Sequence, residues 1–219
     1  MAFGEVGTSL SKIKANSLNL AGTYGFSGTV SGLADETPLV LISTFTSDGS
    51  DSNATFNSSL ITSTYKEYLF VFNNIHPGTN QVYLRFHPSI DNGSNYNLNL
   101  TSAMFTAYHR EDGGGVGPAL EYASGFDTAS GSSHYISSDT GSNNDDGVSG
   151  IMRLYNPSST TFVKHYTIQT VTSSGDGDQY AYHVLGAGYI NTTSAVNNVK
   201  FEFHNGEIQG GTIDLFGVV

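Results

Sequence analysis

Residues 68–72, Tyr68-Leu69-Phe70-Val71-Phe72, are apolar at every position. A strand turns successive side chains to opposite faces, so Tyr68, Phe70 and Phe72 share one face and Leu69 and Val71 the other. A strand with one wet face alternates apolar and polar residues, and this one does not. Both of its faces need cover. The other runs alternate more regularly: Val82, Leu84 and Phe86 fall on one face of Gln81–His87. Pro38–Ile42, Tyr96–Tyr108, Gly150–Tyr155, Phe162–Thr172, Gln179–Ile190, Val199–His204 and Gly211–Phe216 read as further strands. No window repeats apolar residues near a spacing of 3.6 with capping residues, so no helix is expected.

Dense turn residues over Asn73–Asn80 predict that the strands on either side are antiparallel and joined by a loop. Asn205-Gly206 gives a strong hairpin signal before the last strand. Residues 110–147 break the rhythm as one long excursion rich in Gly, Ser and Asp. Eight to ten strands with long connections predict an all-β fold, a jelly-roll-like antiparallel β-sandwich over residues 35–219. Residues 1–34, rich in Gly and Ser with one short alternating piece at Gly22–Val30, read as an extended N-terminal attachment arm. No repeat of 20–50 residues is present, which argues against a propeller or solenoid.

Composition agrees with this class and removes several functions. The 219 residues include 26 Gly, 13 Tyr and 13 Phe, and only 12% are charged. Aromatic residues of this kind favour strands. The net charge of −11, from 19 acids against 8 bases, speaks against a nucleic-acid partner, which is held mainly through Lys and Arg. With no cysteine, disulfides and thiolate metal sites are excluded. No apolar run approaches the length of a membrane span, so no membrane insertion is expected.

A search for catalytic patterns fails. Gly25-Phe26-Ser27-Gly28 and Gly147-Val148-Ser149-Gly150 have the wrong spacing for a nucleophile elbow. Gly113–Pro118 lacks the Lys-Ser/Thr ending of a phosphate loop, and no two histidines have zincin spacing. His109-Arg110-Glu111-Asp112 is the densest polar cluster and reads as a solvated strand end. The chain is therefore expected not to be an enzyme and to use no cofactor. Asp48–Asn53, Asp139–Asp146 and Asp176–Asp178 offer the hard oxygens that calcium takes. Asx-rich turns, whose side chains bond their own backbone, explain them better. Tyr122, Phe126 and Tyr135 stand isolated in the excursion, in the composition of an adaptable recognition loop. They are candidates for contact with a glycan or with another subunit.

Several stretches taken together resemble a family of structural proteins from marine tailed bacteriophages of the cyanophage type. These are GTYGFSGTV, STYKEYLFVFNNIHPGTN, SIDNGSNYN, LYNPSSTTFVKHY and the ending GTIDLFGV. The resemblance covers roughly residues 20–219 and rests on turns and strand cores. It implies a virion location and a non-enzymatic tail-fibre or spike-like appendage with a host-surface adhesion role. A capsid decoration protein clamping shell subunits and a glycan-binding module are the rival readings. As partners it implies other virion proteins, held through the arm, and host surface glycan.

If Tyr68, Phe70 and Phe72 enter the core, the opposite face would be an exposed apolar stripe, which soluble monomers avoid. The excursion, laying Tyr122, Phe126 and Tyr135 across the sheet, is expected to supply part of the cover. A second copy of the chain, in a homo-oligomer with a trimer favoured, is expected to supply the rest, which makes Leu69 and Val71 subunit-interface residues.

Overall fold

The computed structural model describes residues 38–114, 117–174 and 179–219. The arm predicted over residues 1–34 lies outside the described residues. Thr37–Val219 form one compact unit. Among the described residues every regular element is a strand: β1 Leu39–Thr46, β2 Ala54–Phe56, β3 Glu67–Pro77, β4 Leu84–Ser89, β5 Leu100–Arg110, β6 Ala119–Tyr122, β7 His134–Tyr135, β8 Gly147–Tyr155, β9 Lys164–Ser174, β10 Tyr180–Ile190, β11 Asn198–Phe203 and β12 Ile208–Val218.

Their pairing is nested. β1 pairs with β12, β2 with β11, β3 with β8 and β4 with β7, all antiparallel. One long antiparallel ribbon folded over at its corners produces this pattern. It separates the strands into the orders β1-β12-β3-β8 and β2-β11-β4-β7. The eight-strand core is thus a jelly-roll sandwich, as expected from the strand count. Two insertions modify it. β5–β6 and β9–β10 join the first sheet beyond β8, giving the eight-stranded order β1-β12-β3-β8-β9-β10-β5-β6.

The ribbon corrects two readings of turn chemistry. The loop after β3 does not join a paired hairpin, because β3 and β4 lie in opposite sheets. Asn205-Gly206 likewise connects β11 to β12 across the sandwich, with Gly206 at φ 80°. The excursion 110–147 carries two short strands of its own, β6 and β7, one in each sheet.

The inner face of β3 is as the sequence indicates: Tyr68, Phe70 and Phe72 are fully buried. Phe201 of β11 meets Phe70 and Phe72 across the gap. Its ring lies 5.0 Å from Phe70, 5.1 Å from Phe72, 6.1 Å from Phe56 and 6.4 Å from Phe86. The first three are edge-to-face contacts, the arrangement aromatic quadrupoles prefer.

One glycine is required where β8 crosses β3. Gly150 has φ 147°, and an added Cβ would stand 2.3 Å from the Gln169 carbonyl oxygen and 2.6 Å from the Thr170 Cα. Both obstacles are backbone of β9 and cannot swing aside. Gly150→Ala is expected to cost about 3 kcal/mol in urea unfolding at neutral pH. A loss below about 1 kcal/mol would show that the strands shift to make room.

Candidate functional site

The extension β9-β10-β5-β6 has two faces with different fates. Its inner face is covered in part by the excursion. Ala123 donates its N–H to the Met104 carbonyl at 2.9 Å, and Met104, Ala123 and Val184 form a small core with Phe126 and Tyr182 packed on it. Further along, Thr170 Oγ1 donates to the Ile136 carbonyl at 2.6 Å, and the Tyr166 hydroxyl lies 3.0 Å from His134 Nδ1. The excursion therefore covers the inner side at Met104, Tyr166 and Thr170 and leaves Tyr108, Tyr180 and Tyr182 half-exposed.

That placement corrects an expectation. Phe126 and Tyr135 do not cross the Leu69–Val71 face; they join Tyr83 and His204 in a ring cluster with centroid separations of 4.9–6.3 Å. Tyr122 stands apart on the edge strand β6, exposed, with its hydroxyl donating to Asp127. The reason is the register of β6, which fixes Tyr122 beside Phe105 and hands the following residues to the inner side.

Leu69 is corrected as well. It retains only 5% exposure within the single chain. Its cross-strand neighbours are Phe216 and Arg153, two long side chains, and Arg153 is held by an ion pair with Glu67. Long basic side chains cover apolar surface with their stems. Val71 stays half-buried. The need for an outside cover thus moves away from Leu69.

It moves along the sheet. Register places Val71, Ile151, Gln169, Leu185, Phe105 and Tyr122 in one line across six strands on the outer face. A neighbouring line holds Val171, His183, Ala107 and Leu120. Phe105 is 44% exposed, Val171 54% and Leu120 71%. Beside Phe105 a depression of about 480 Å³ is lined by Ala103, Ile151, Leu185 and Ala187 together with Arg153 and Gln169. Nothing among the described residues lies over it.

Inside the sandwich's far end is a second aromatic feature. Tyr108, Tyr180 and Tyr182 stack around one another at 5.6–5.8 Å. Tyr108 and Tyr182 are direct cross-strand partners, and Tyr180 lies two residues along β10 on the same face. Burial, then the nearby Asp139 charge, pushes the Tyr182 hydroxyl up to about 12. The sequence search missed this group because Tyr108 and Tyr182 come from distant segments; the i, i+2 spacing of Tyr180 and Tyr182 was its one visible sign.

Several charged groups are engaged with one another or with their own turns. On the small sheet Glu202 accepts from Arg85 Nη2 at 2.8 Å and lies 2.7 Å from Lys200 Nζ and 3.1 Å from His87 Nε2. Burial would raise the Glu202 carboxyl, but Lys200, His87 and Arg85 outweigh it and hold it below the usual range. Arg110 pairs with Asp112 at 2.6 Å, which makes the His109–Asp112 cluster a strand end closing into a turn. The Asp48 carboxylate accepts from the Ser50 N–H at 3.0 Å and the Ser50 hydroxyl at 2.9 Å, an Asx turn. Asp176–Asp178 lie outside the described residues.

Compared with known protein families, characterised proteins and solved structures, the chain matches none.

Proposed function

We propose that the chain is a non-enzymatic structural protein of a tailed-phage virion, self-associating through the outer face of its large sheet to build a tail-fibre or spike-like appendage. The observation that carries this reading is the uncovered line Val71–Ile151–Leu185–Phe105–Tyr122, interrupted only by Gln169. A chain of net charge −11 repels its own copies over most of its surface. Two copies approach most readily where charge is sparse; this line carries none itself, and Arg153 and Asp214 flank it at the Val71 end. Burying it removes the exposed apolar patch that a soluble protein otherwise tolerates poorly. The resemblance to marine-phage structural proteins supplies the setting, and the jelly-roll sandwich suits it, being a fold that recurs in capsid and lectin domains.

Phe105→Asp tests the self-association. Phe105 is half out of the fold already, so a carboxylate there leaves the monomer's thermal midpoint within a few degrees of wild type. It places a charge in the middle of the subunit contact, where it has no partner. Light scattering at matched concentration is expected to show an oligomer for the wild type and a monomer for the variant. A monomeric wild type overturns the self-association. Gold-labelled antibody on intact particles tests the location: decoration of the tail supports the appendage, and decoration of the head replaces it with a shell-clamping role. Absence from the particle overturns the virion reading.

A further inference from the structure

We propose that the aromatic band at the far end of the sandwich, running from Tyr180 through Tyr182, Tyr108 and Phe126 to Tyr83 and Tyr135, is a binding site for an uncharged saccharide chain. This rests on the appendage reading for its biological setting and gives that reading a ligand class. It places the site on residues other than the outer sheet face.

Two ring clusters make up the band. Tyr108, Tyr180 and Tyr182 form one, at 5.6–5.8 Å. Tyr83, Phe126 and Tyr135 form the other, at 4.9–5.9 Å. They are continuous because Phe126 and Tyr182 pack on the same small core of Met104 and Val184. The Asp139 charge acts on both Tyr83 and Tyr182, and that of Glu121 on Tyr182. All six rings are partly exposed.

The chemistry selects the ligand. The face of an aromatic ring is electron-rich, and the axial C–H bonds of a pyranose present a weakly positive apolar face that stacks on it. Tyrosine provides that surface at low entropic cost and adds a hydroxyl at the rim. Carboxylates are acceptors with several lone-pair sites, matched to the hydroxyl donors of a sugar. Five tyrosine hydroxyls are engaged within the fold: Tyr68 with Thr62, Tyr96 with Asn198, Tyr122 with Asp127, Tyr155 with Thr167 and Tyr166 with His134. Those of Tyr108, Tyr180 and Tyr182 bond no other described residue, and the three rings are half-exposed. The charge decides the subclass. Arg110, the cross-strand partner of Tyr180, is held by Asp112, so the charges of Asp139 and Glu121, in a chain of net charge −11, repel uronic and sialic acids and favour neutral sugars.

The test is a glycan array probed with the purified full chain, followed by titration of the best neutral oligosaccharide. Tyr108→Ala with Tyr180→Ala is expected to weaken binding at least tenfold, with thermal midpoint and near-ultraviolet circular dichroism within a few degrees and a few per cent of wild type. Should that pair perturb the fold, Tyr108→Phe with Tyr180→Phe keeps the stacking and removes only the hydroxyls; a threefold or greater loss supports the site. Failure to bind any neutral glycan at millimolar concentration overturns the proposal, as does a preference for acidic glycans or unchanged affinity in both double variants. Phe105→Asp is expected to bind sugar as wild type does. Normal assembly without sugar binding sinks this inference alone, and sugar binding by a protein absent from the particle sinks only the appendage reading.

Discussion

Phe201→Ala is expected to lower the unfolding free energy by about 4 kcal/mol, the largest loss of any single truncation in the sandwich. Its ring is fully buried and stands within 5.0–6.4 Å of Phe56, Phe70, Phe72 and Phe86, which come from β2, β3 and β4. Removing it deletes the transfer energy of a phenyl group and leaves a cavity between two sheets that cannot close independently of each other. Three edge-to-face contacts go with it, each adding about 0.5–1 kcal/mol beyond area. Phe162→Ala is the control, since that ring is 70% exposed and its loss is expected to change stability by less than about 0.5 kcal/mol. Urea unfolding followed by far-ultraviolet circular dichroism measures both. A Phe201→Ala loss below about 2 kcal/mol would mean that the sheets collapse around the gap.

The residues that hold Phe201 in place were largely legible in the sequence. Tyr68, Phe70 and Phe72 alternate inward as the period of two requires, and Leu84 and Phe86 do the same on the opposite sheet. What the sequence could not carry is where each strand goes after a turn. Asn205-Gly206 and the loop after Pro77 are strong reversals, yet both take the chain over to the other sheet. Turn chemistry encodes the change of direction and not whether the next strand lies beside or above the last. β2, β6 and β7 escaped because strands of three, four and two residues are too short to show a period.

The site was legible only in part. Leu69 and Val71 were rightly placed on the face opposite the core, but burial of Leu69 depends on Phe216 and Arg153, which reach it only through two pairings with distant segments. Phe126 and Tyr135 were found as unusual aromatics in a long loop, and the structure brings them to Tyr83 instead of to Tyr122. The exposed line from Val71 to Phe105 has no counterpart along the chain at all. Each strand contributes one residue to it, and only the register assembles them.

Acidification is expected to remove about 3 kcal/mol of stability through His134 alone between pH 6.5 and 4. The ring is buried between the sheets, its Nδ1 3.0 Å from the Tyr166 hydroxyl and its Nε2 without a hydrogen-bond partner. Burial pushes its pKa from the usual 6.5 down to about 4, against a weaker opposing pull from Asp127. Above pH 6.5 the imidazole is neutral folded or unfolded, and stability does not respond to it. Below that value the unfolded chain takes up a proton that the folded chain refuses, at a cost of about 1.4 kcal/mol per pH unit, until the folded ring protonates near pH 4. His87 adds to the same window: burial brings it to about 4 even though Glu202 favours its charged form. The carboxylates act elsewhere. Asp91 sits at about 2, lowered by Asn95 and Ser89, so its contribution is lost only below the ordinary carboxylate range. His134→Gln keeps a polar group for Tyr166 and cannot titrate. Unfolding free energies measured from pH 7.5 to 4 are expected to fall with about half the wild-type slope in that variant. A slope unchanged by His134→Gln would place the acid sensitivity on His87 and the carboxylates and sink the assignment to His134.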